Sequence, residues 1–157
     1  MEPIRRAVEA DIPELVRLRA AFAECLTAGV VFDTRPASAT WRAICAEVLK
    51  EQLTGSTMCV LVVDAEDGLA ACGYGTIAQM VPGPHLPDGQ LGYVSSVFTE
   101  PTSRRRGYSR AIMSGLLSWF RERGVSRVDL HASTDAEPLY RALGFNDHPD
   151  PALSWRA

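Results

Sequence analysis

Residues 97–109 read Val-Phe-Thr-Glu-Pro-Thr-Ser-Arg-Arg-Arg-Gly-Tyr-Ser, and most of the chain's organisation can be predicted from this segment and its flanks. The residues that lead into it, 91–98, are mostly apolar or aromatic without a helical period, which predicts a strand. Pro101 ends that strand because proline has no N–H to donate to a neighbouring strand. Behind the segment, apolar side chains recur with the period of a helix that runs to about residue 123: Ile112, Leu116, Trp119 and Phe120.

A strand, a tight basic loop and the start of a helix together form a candidate anion-binding site. The N–H groups of a helix's first turn have no partner in the helix, and the helix dipole adds partial positive charge there. Gly107 lets the main chain approach a phosphate without a Cβ in the way. Arg104, Arg105 and Arg106 add charge, although an exposed basic helix start without any ligand gives the same pattern.

This loop and a second motif further along the chain resemble the GNAT superfamily of acyl-CoA-dependent N-acetyltransferases. Residues 104–109, Arg-Arg-Arg-Gly-Tyr-Ser, are similar to that family's Arg/Gln-x-x-Gly-x-Gly/Ala loop, with Ser109 in place of the usual glycine or alanine. Residues 136–145, Ala-Glu-Pro-Leu-Tyr-Arg-Ala-Leu-Gly-Phe, resemble its terminal Ala-x-x-Leu-Tyr-x-x-x-Gly-Phe. The two motifs occur in the family's order, separated by one predicted helix and one predicted strand.

The resemblance implies a single N-acetyltransferase domain over residues 1–157, of the α/β (α+β) class. Its sheet would be mixed, mostly antiparallel and flanked by helices, with a central parallel pair of strands that part at the cofactor's pantetheine arm. The apolar patterns fit the family's element order, β-α-α-β-β-β-α-β-α-β. Besides the strand and helix already described, they place strands at residues 4–8, 58–64, 69–80, 125–132 and 152–155, and helices at residues 11–27, 38–53 and 136–143.

Two local patterns refine the prediction for the first half of the chain. Asp11 as N-cap and Glu14 three residues later match a capping box at the start of the first helix. The second helix should bury one apolar face, formed by Trp41, Ile44, Cys45, Val48 and Leu49.

Composition and charge argue against several classes of function. The net charge of −3 argues against nucleic-acid binding despite the three consecutive arginines. No apolar run approaches about 18 residues, and Arg5 and Arg6 stand where a signal peptide needs an apolar stretch, so we expect neither a membrane span nor export. The cysteines are far apart in apolar stretches, which predicts buried free thiols, without metal or disulfide roles, in a cytoplasmic protein: Cys25, Cys45, Cys59 and Cys72.

The resemblance also implies which residues bind the cofactor, acetyl-CoA. Val97, Phe98 and Thr99 fall at the strand end that contacts pantetheine in the family, and a main-chain N–H near Phe98 or Thr99 would polarise the acetyl carbonyl. Ser133 stands where many relatives have a cofactor-contacting asparagine. The expected diphosphate loop comprises Arg104, Arg105, Arg106, Gly107, Tyr108 and Ser109.

Tyr140 matches the family's general acid. A phenol with a pKa of about 10 is protonated at pH 7 and can donate its proton to a leaving thiolate. The alternative is a core aromatic residue whose hydroxyl only orients the sulfur. No general base can be assigned, because the predicted central strand carries no carboxylate; the candidates that stay open are Glu24, Asp33, Glu100, His85 and His131.

The favoured interpretation is an enzyme that transfers an acetyl group from acetyl-CoA to a primary amine of a small molecule or peptide, directly within a ternary complex. The alternative is a CoA-binding or regulatory module without turnover. In the family, the first two helices and the following loops shape the acceptor site, where Phe22, Phe32, Trp41 and Asp33 suggest a partly apolar pocket with one carboxylate. The acceptor's identity, and whether two chains form a homodimer, are left open by the sequence.

Overall fold

The structure is a computed structural model that describes residues 4–27 and 38–157. In these residues one sheet has the strand order β1-β2-β3-β4-β5; its strands are β1 (Ile4–Arg6), β2 (Met58–Ala65), β3 (Gly68–Gln79), β4 (Gln90–Thr99) and β5 (Val128–Leu130). The helices are α1 (Ile12–Thr27), α2 (Trp41–Gln52), α3 (Tyr108–Glu122) and α4 (Glu137–Ala142). The pairs from β1 to β4 are antiparallel and β4–β5 is parallel, which confirms the predicted fold class.

The sheet separates two apolar cores that share no buried residue in the described part of the chain. On one face α3 packs through its predicted stripe, with Leu116 fully buried. Gly115 allows this close approach, because a Cβ there would lie 2.6 Å from Leu61 Cδ1. On the other face α1 packs through Leu15 and Leu18, which are also fully buried. Burying each leucine contributes roughly 1.5–3 kcal/mol to the free energy of folding, so the packing on both faces stabilises the sheet.

An irregularity in β4 shapes the end of the sheet where the cleft opens. The β3–β4 register shifts between Cys72 and Tyr74. Opposite this shift, Ser96 has φ +54°, a left-handed conformation that is uncommon for a residue with a side chain. These features together are a β-bulge, which bends β4 and re-aims the side chains that follow it.

The parallel strands β4 and β5 part soon after they meet. Their pairing runs from Gly92 with Val128 to Val94 with Leu130. β5 ends there, whereas β4 continues to Thr99. Five residues of β4 therefore extend beyond the last pair and leave main-chain groups on that edge unpaired with β5, as the resemblance implied.

The predicted final strand at residues 152–155 is wrong. These residues form no strand, and the side chains of Leu153 and Trp155 are 91% and 86% exposed. Pro149 and Pro151 precede the segment, and each lacks the N–H that a ladder requires. β5 itself is shorter than the predicted 125–132, because the main-chain N–H of Val125 caps α3 by donating to Phe120 O at 2.9 Å.

The first two helices also differ in detail from the prediction. Asp11 does not cap α1; its carboxylate instead accepts a 2.8 Å bond from the N–H of Val8 and binds Arg5. Glu14 accepts a 2.9 Å bond from the N–H of Leu69, which ties α1 to β3. In α2, Leu49 is buried as expected.

Two predictions about apolar burial are corrected as well. Ile44 and Val48 of α2 are 55% and 44% exposed, because they lie on the helix row beside the one that packs on α1. Among the cysteines, Cys59 and Cys72 are buried, Cys45 is half-buried and Cys25 is exposed, so the expectation of four buried thiols was wrong for Cys25.

Candidate active site

The basic loop joins β4 to α3 in a conformation that turns its main-chain N–H groups outward. A short 3₁₀ turn at Pro101–Ser103 follows the strand, and then Arg105 and Gly107 adopt left-handed conformations with φ +65° and +80°. The first main-chain bond of the helix runs from the N–H of Ala111 to Gly107 O, at 3.0 Å. No described residue accepts a hydrogen bond from the N–H groups of residues 105–109. Five consecutive donors without an acceptor in the described part of the chain thus lie at the positive end of a helix dipole, an arrangement that fits a diphosphate.

A cleft of about 570 Å³ lies where β4 parts from β5. β4, the basic loop, α1 and the segment from residue 133 into α4 form its walls. The predicted site residues that line it are Val97, Phe98, Thr99, Arg104, Arg105, Gly107, Tyr108, Ser109, Ser133 and Tyr140. Arg106 is the exception, since it is exposed and does not line the cleft. The structure therefore brings together ten of the eleven residues that were proposed from two separate motifs.

The end of β4 is fixed to the basic loop by hydrogen bonds. Thr99 is nearly buried, and its hydroxyl lies 3.1 Å from that of Ser109 on the first turn of α3. The guanidinium of Arg104 donates to the main-chain carbonyl of Thr99 at 3.3 Å. On the other side of the strand, Phe98 packs against Phe22 of α1 with the ring centroids 5.6 Å apart. These contacts hold the strand end, the loop and α1 in one arrangement.

Tyr140 lines the cleft as a nearly buried phenol. Its side chain is 8% exposed, and burial raises the pKa of the phenol above its ordinary value. Phe145 packs edge-on against its ring at 6.0 Å between centroids. Its hydroxyl has no hydrogen-bond partner within residues 4–27 and 38–157. This geometry suits a proton donor to a group that enters the cleft, and it leaves no protein acceptor in competition.

Ser133 is partly committed to the protein. Its hydroxyl oxygen accepts a 3.3 Å bond from the N–H of Ala136, so it helps to start α4. The hydroxyl hydrogen is still available to a ligand.

The candidate general bases are scattered. Asp33, like Phe32, lies outside the described residues. Glu100 forms an ion pair with Arg17, which argues against a free carboxylate. His85 and Glu24 are exposed, on a loop and on α1. His131 is exposed just beyond β5 and is hydrogen-bonded through Nδ1 to the hydroxyl of Tyr93 on β4.

Sequence reasoning missed several residues of the site. Phe22 was considered only for the acceptor pocket, and Cys25, Asp135 and Leu139 were not considered part of the cleft that they line. Arg19, which donates to the hydroxyl of Ser96, also escaped notice. Its place in a helix gives no signal in the sequence, because its partner lies 77 residues away.

The described residues offer neither a metal centre nor a membrane helix. No group of three or more His, Cys, Asp or Glu side chains among them is arranged to hold a metal ion. None of the helices in that part of the chain has the length and apolar character required to cross a membrane.

Comparison with known proteins places the chain in a family. A sequence model described as the acetyltransferase (GNAT) family matches residues 17–145, more than half of the chain. Comparison with curated proteins gives no match.

Solved structures share the fold at low sequence identity. A predicted acetyltransferase with acetyl-CoA from Clostridium acetobutylicum is 22% identical with a TM-score of 0.82, over 98% of this chain and 94% of that one. A GCN5-related N-acetyltransferase from Ralstonia eutropha is 22% identical with a TM-score of 0.74, over 97% of each chain. Glucosamine-6-phosphate N-acetyltransferase from Arabidopsis thaliana is 17% identical with a TM-score of 0.72, over 97% of this chain and 96% of that one.

Proposed function

Since the chain belongs to the acetyltransferase (GNAT) family, we propose that it transfers an acetyl group from acetyl-CoA to a primary amine of a small molecule or peptide, directly within a ternary complex. The observation that carries the proposal is the cleft itself. It combines five unpaired main-chain donors at a helix start, an unpaired strand edge and a buried phenol within one volume. The similar structure from Clostridium contains acetyl-CoA, and the one from Arabidopsis is named for an amino-sugar acceptor.

The basic loop would bind the diphosphate. The N–H groups of residues 105–109 would donate to the phosphate oxygens, and Arg104 and Arg105 would add charge beside them. Gly107 allows close approach, because nothing lies within 4 Å of the position that a Cβ would take. The pantetheine arm would then lie along the unpaired edge of β4 from Val97 to Thr99, where main-chain groups can bind its amides.

The chemistry needs a polarised carbonyl and a protonated leaving group. A main-chain N–H of Phe98 or Thr99 would act as a single oxyanion-hole donor, worth on the order of 3 kcal/mol in analogous sites. The neutral amine forms the new C–N bond and loses one proton to water, and the C–S bond breaks as the thiolate leaves. The Tyr140 hydroxyl would give its proton to that sulfur, and its raised pKa keeps it protonated at neutral pH.

The test is the variant Tyr140→Phe, assayed by thiol release with a panel of amines and by calorimetry with CoA. We expect turnover to fall about 100-fold or more, since general acids contribute 10²–10⁴-fold. CoA affinity and Tm should hardly change, because the hydroxyl has no protein partner to lose in the described structure. Loss of CoA binding in this variant would show that the acid assignment is wrong. CoA binding by the wild-type chain without turnover of any amine would favour the non-catalytic module instead.

A further inference from the structure

Among the described residues, the half-buried guanidinium of Arg19 has no carboxylate partner, whereas four other arginines do. Ion pairs with carboxylates are formed by Arg5, Arg17, Arg127 and Arg141. In the described part of the chain, the hydroxyl of Ser96 is the hydrogen-bond partner of Arg19, and no carboxylate joins it. A hydroxyl oxygen satisfies few of a guanidinium's five N–H donors. Arg19 therefore keeps a positive charge, and some of its donors have no acceptor among residues 4–27 and 38–157, while the side chain is partly withdrawn from water.

Arg19 lies beside the inner end of the cleft. It is one helical turn before Phe22, which lines the cleft, and its partner Ser96 precedes Val97, which lines it too. Ser96 is also two residues beyond Val94, the last residue of β4 that pairs with β5. Under the proposed function, on which this inference rests, the acetyl group and the acceptor amine meet where those two strands part.

A second donor without a partner lies at the same place. Tyr74 on β3 pairs in register with Ser95, the neighbour of Ser96. Its side chain is 6% exposed, and its hydroxyl has no hydrogen-bond partner among the described residues. Arg19 is near enough to act on the pKa of this phenol, which burial raises. A buried hydroxyl without a partner is uncommon in native proteins and often marks a missing ligand or water.

The groups around Arg19 supply donors and few acceptors. The main-chain oxygen of Ser96 is already bound by the Cys72 thiol at 3.8 Å. The nearest helix, α2, contributes the half-buried thiol of Cys45, whose pKa burial raises and Arg19 lowers. A neutral thiol cannot balance the guanidinium's charge. The arrangement therefore suits a ligand that brings an oxyanion, which can accept two parallel bonds from a guanidinium.

We propose that Arg19 recognises a carboxylate or phosphate on the acceptor, so that the enzyme acetylates amines that carry an oxyanion close to the reacting nitrogen. Arg19 is a specificity-determining residue in this proposal. It binds the acceptor's anion and takes no part in the proton transfers.

The test uses matched acceptors that differ in charge. Thiol release is measured for glycine against glycinamide and for O-phosphoethanolamine against ethanolamine; the first pair tests a carboxylate and the second a phosphate. We expect the anionic member of at least one pair to be preferred in kcat/KM by tenfold or more. Arg19→Gln should lower kcat/KM for that member by about 10- to 100-fold, mainly through KM, because charged hydrogen bonds are lost. The neutral member should change less than about twofold, since it makes no bond to the guanidinium.

Two variants make the comparison specific. Arg19→Lys keeps the charge without the two-pronged geometry, so it should restore part of the preference and also controls for folding. Arg42→Gln removes a positive charge from α2, where the guanidinium lies over the Trp41 ring at 5.0 Å and binds no part of the cleft. It should leave the preference unchanged.

A measurement of acceptor binding distinguishes failure of this inference from failure of the proposed function. Each acceptor is titrated by calorimetry into protein saturated with CoA, so no turnover is required. Tighter binding of an anionic member that Arg19→Gln abolishes supports the role of Arg19, even if no amine is acetylated. An anion preference absent from both assays, or one that survives Arg19→Gln, overturns the inference, whereas turnover of neutral amines would leave the proposed function standing.

Discussion

Replacing Gly107 with alanine should weaken coenzyme A binding strongly while the protein stays folded. Gly107 has φ +80°, and no atom lies within 4 Å of the position that its Cβ would take. The methyl group therefore meets no protein atom, and the structural cost is the left-handed backbone. That conformation costs a residue with a Cβ roughly 1–2 kcal/mol, so Tm should fall by about 2–8 °C.

The effect on binding follows from what the methyl group would displace. Gly107 lines the cleft, and in the proposed complex its outer face lies against the diphosphate. A hydrogen bond to a charged group contributes about 1.5–3 kcal/mol. Loss of a single such bond from the main chain to a phosphate oxygen would lower CoA affinity by roughly 10- to 150-fold.

The chain offers a matched control at the other end of the same helix. Gly124 follows α3 with φ +74°, and a Cβ added there would likewise have no atom within 4 Å. Gly124→Ala should therefore lose the same stability without touching the cleft. Tm is measured by thermal denaturation and CoA affinity by calorimetry. If the two variants bound CoA equally well, the basic loop would not be the diphosphate site.

Three further outcomes are expected. Arg5→Met should destabilise the protein by about 1 kcal/mol at pH 7 in urea unfolding, because Arg5 lowers the pKa of Asp11. A carboxyl with a lowered folded-state pKa stabilises above the unfolded value near 4, so the deficit should shrink as pH falls below it. Gly73→Ala should cost about 1–3 kcal/mol, since its Cβ would lie 2.4 Å from Ile112 Cγ2. The buried Cys72 thiol, whose pKa is raised to about 12, should resist iodoacetamide until the protein unfolds.

Each of these outcomes has a control. An equal deficit for Arg5→Met at pH 7 and pH 3 would show that its ion pair is not the cause. Gly83→Ala meets nothing within 4 Å and should be neutral, so a comparable loss there would exclude overpacking as the explanation for Gly73→Ala. Cys25 is exposed and should be labelled in the folded protein; equally fast labelling of Cys72 would contradict its burial.

The sequence predicted correctly those elements whose structure depends on residues close together in the chain. The period of α3, its end near residue 123 and the position of the basic loop before it are all local patterns, and they appear as predicted. The cleft residues could be grouped from two motifs because the family fixes how those motifs meet in space. The Asp67-Gly68 pair is a further local signal, typical of the tight hairpin that joins β2 to β3.

The prediction failed where the outcome depends on distant partners. Residues 152–155 have an apolar pattern that a strand could use, but no neighbouring strand in the described part of the chain accepts them. The carboxylates of Asp11 and Glu14 were expected to cap the start of α1. They instead bind Arg5 and the main-chain N–H of Leu69. Arg19 looked like an ordinary surface residue of a helix because nothing local shows that Ser96 lies beside it.

The sheet separates two apolar cores, and this separation affects which substitutions the protein can accept during evolution. Mutations more than about 7–10 Å apart, with no shared partner, combine almost additively, so changes far from the sheet in one core need little compensation in the other. Under the proposed function, residues of α2 can be exchanged to suit a new acceptor at a cost in stability that falls mainly on their own side of the sheet. The opposite side, which supports α3 and the loop before it, keeps its shape through such changes. If the proposed function is right, gene duplicates of this chain should therefore diverge in their acceptors sooner than in their acyl donor.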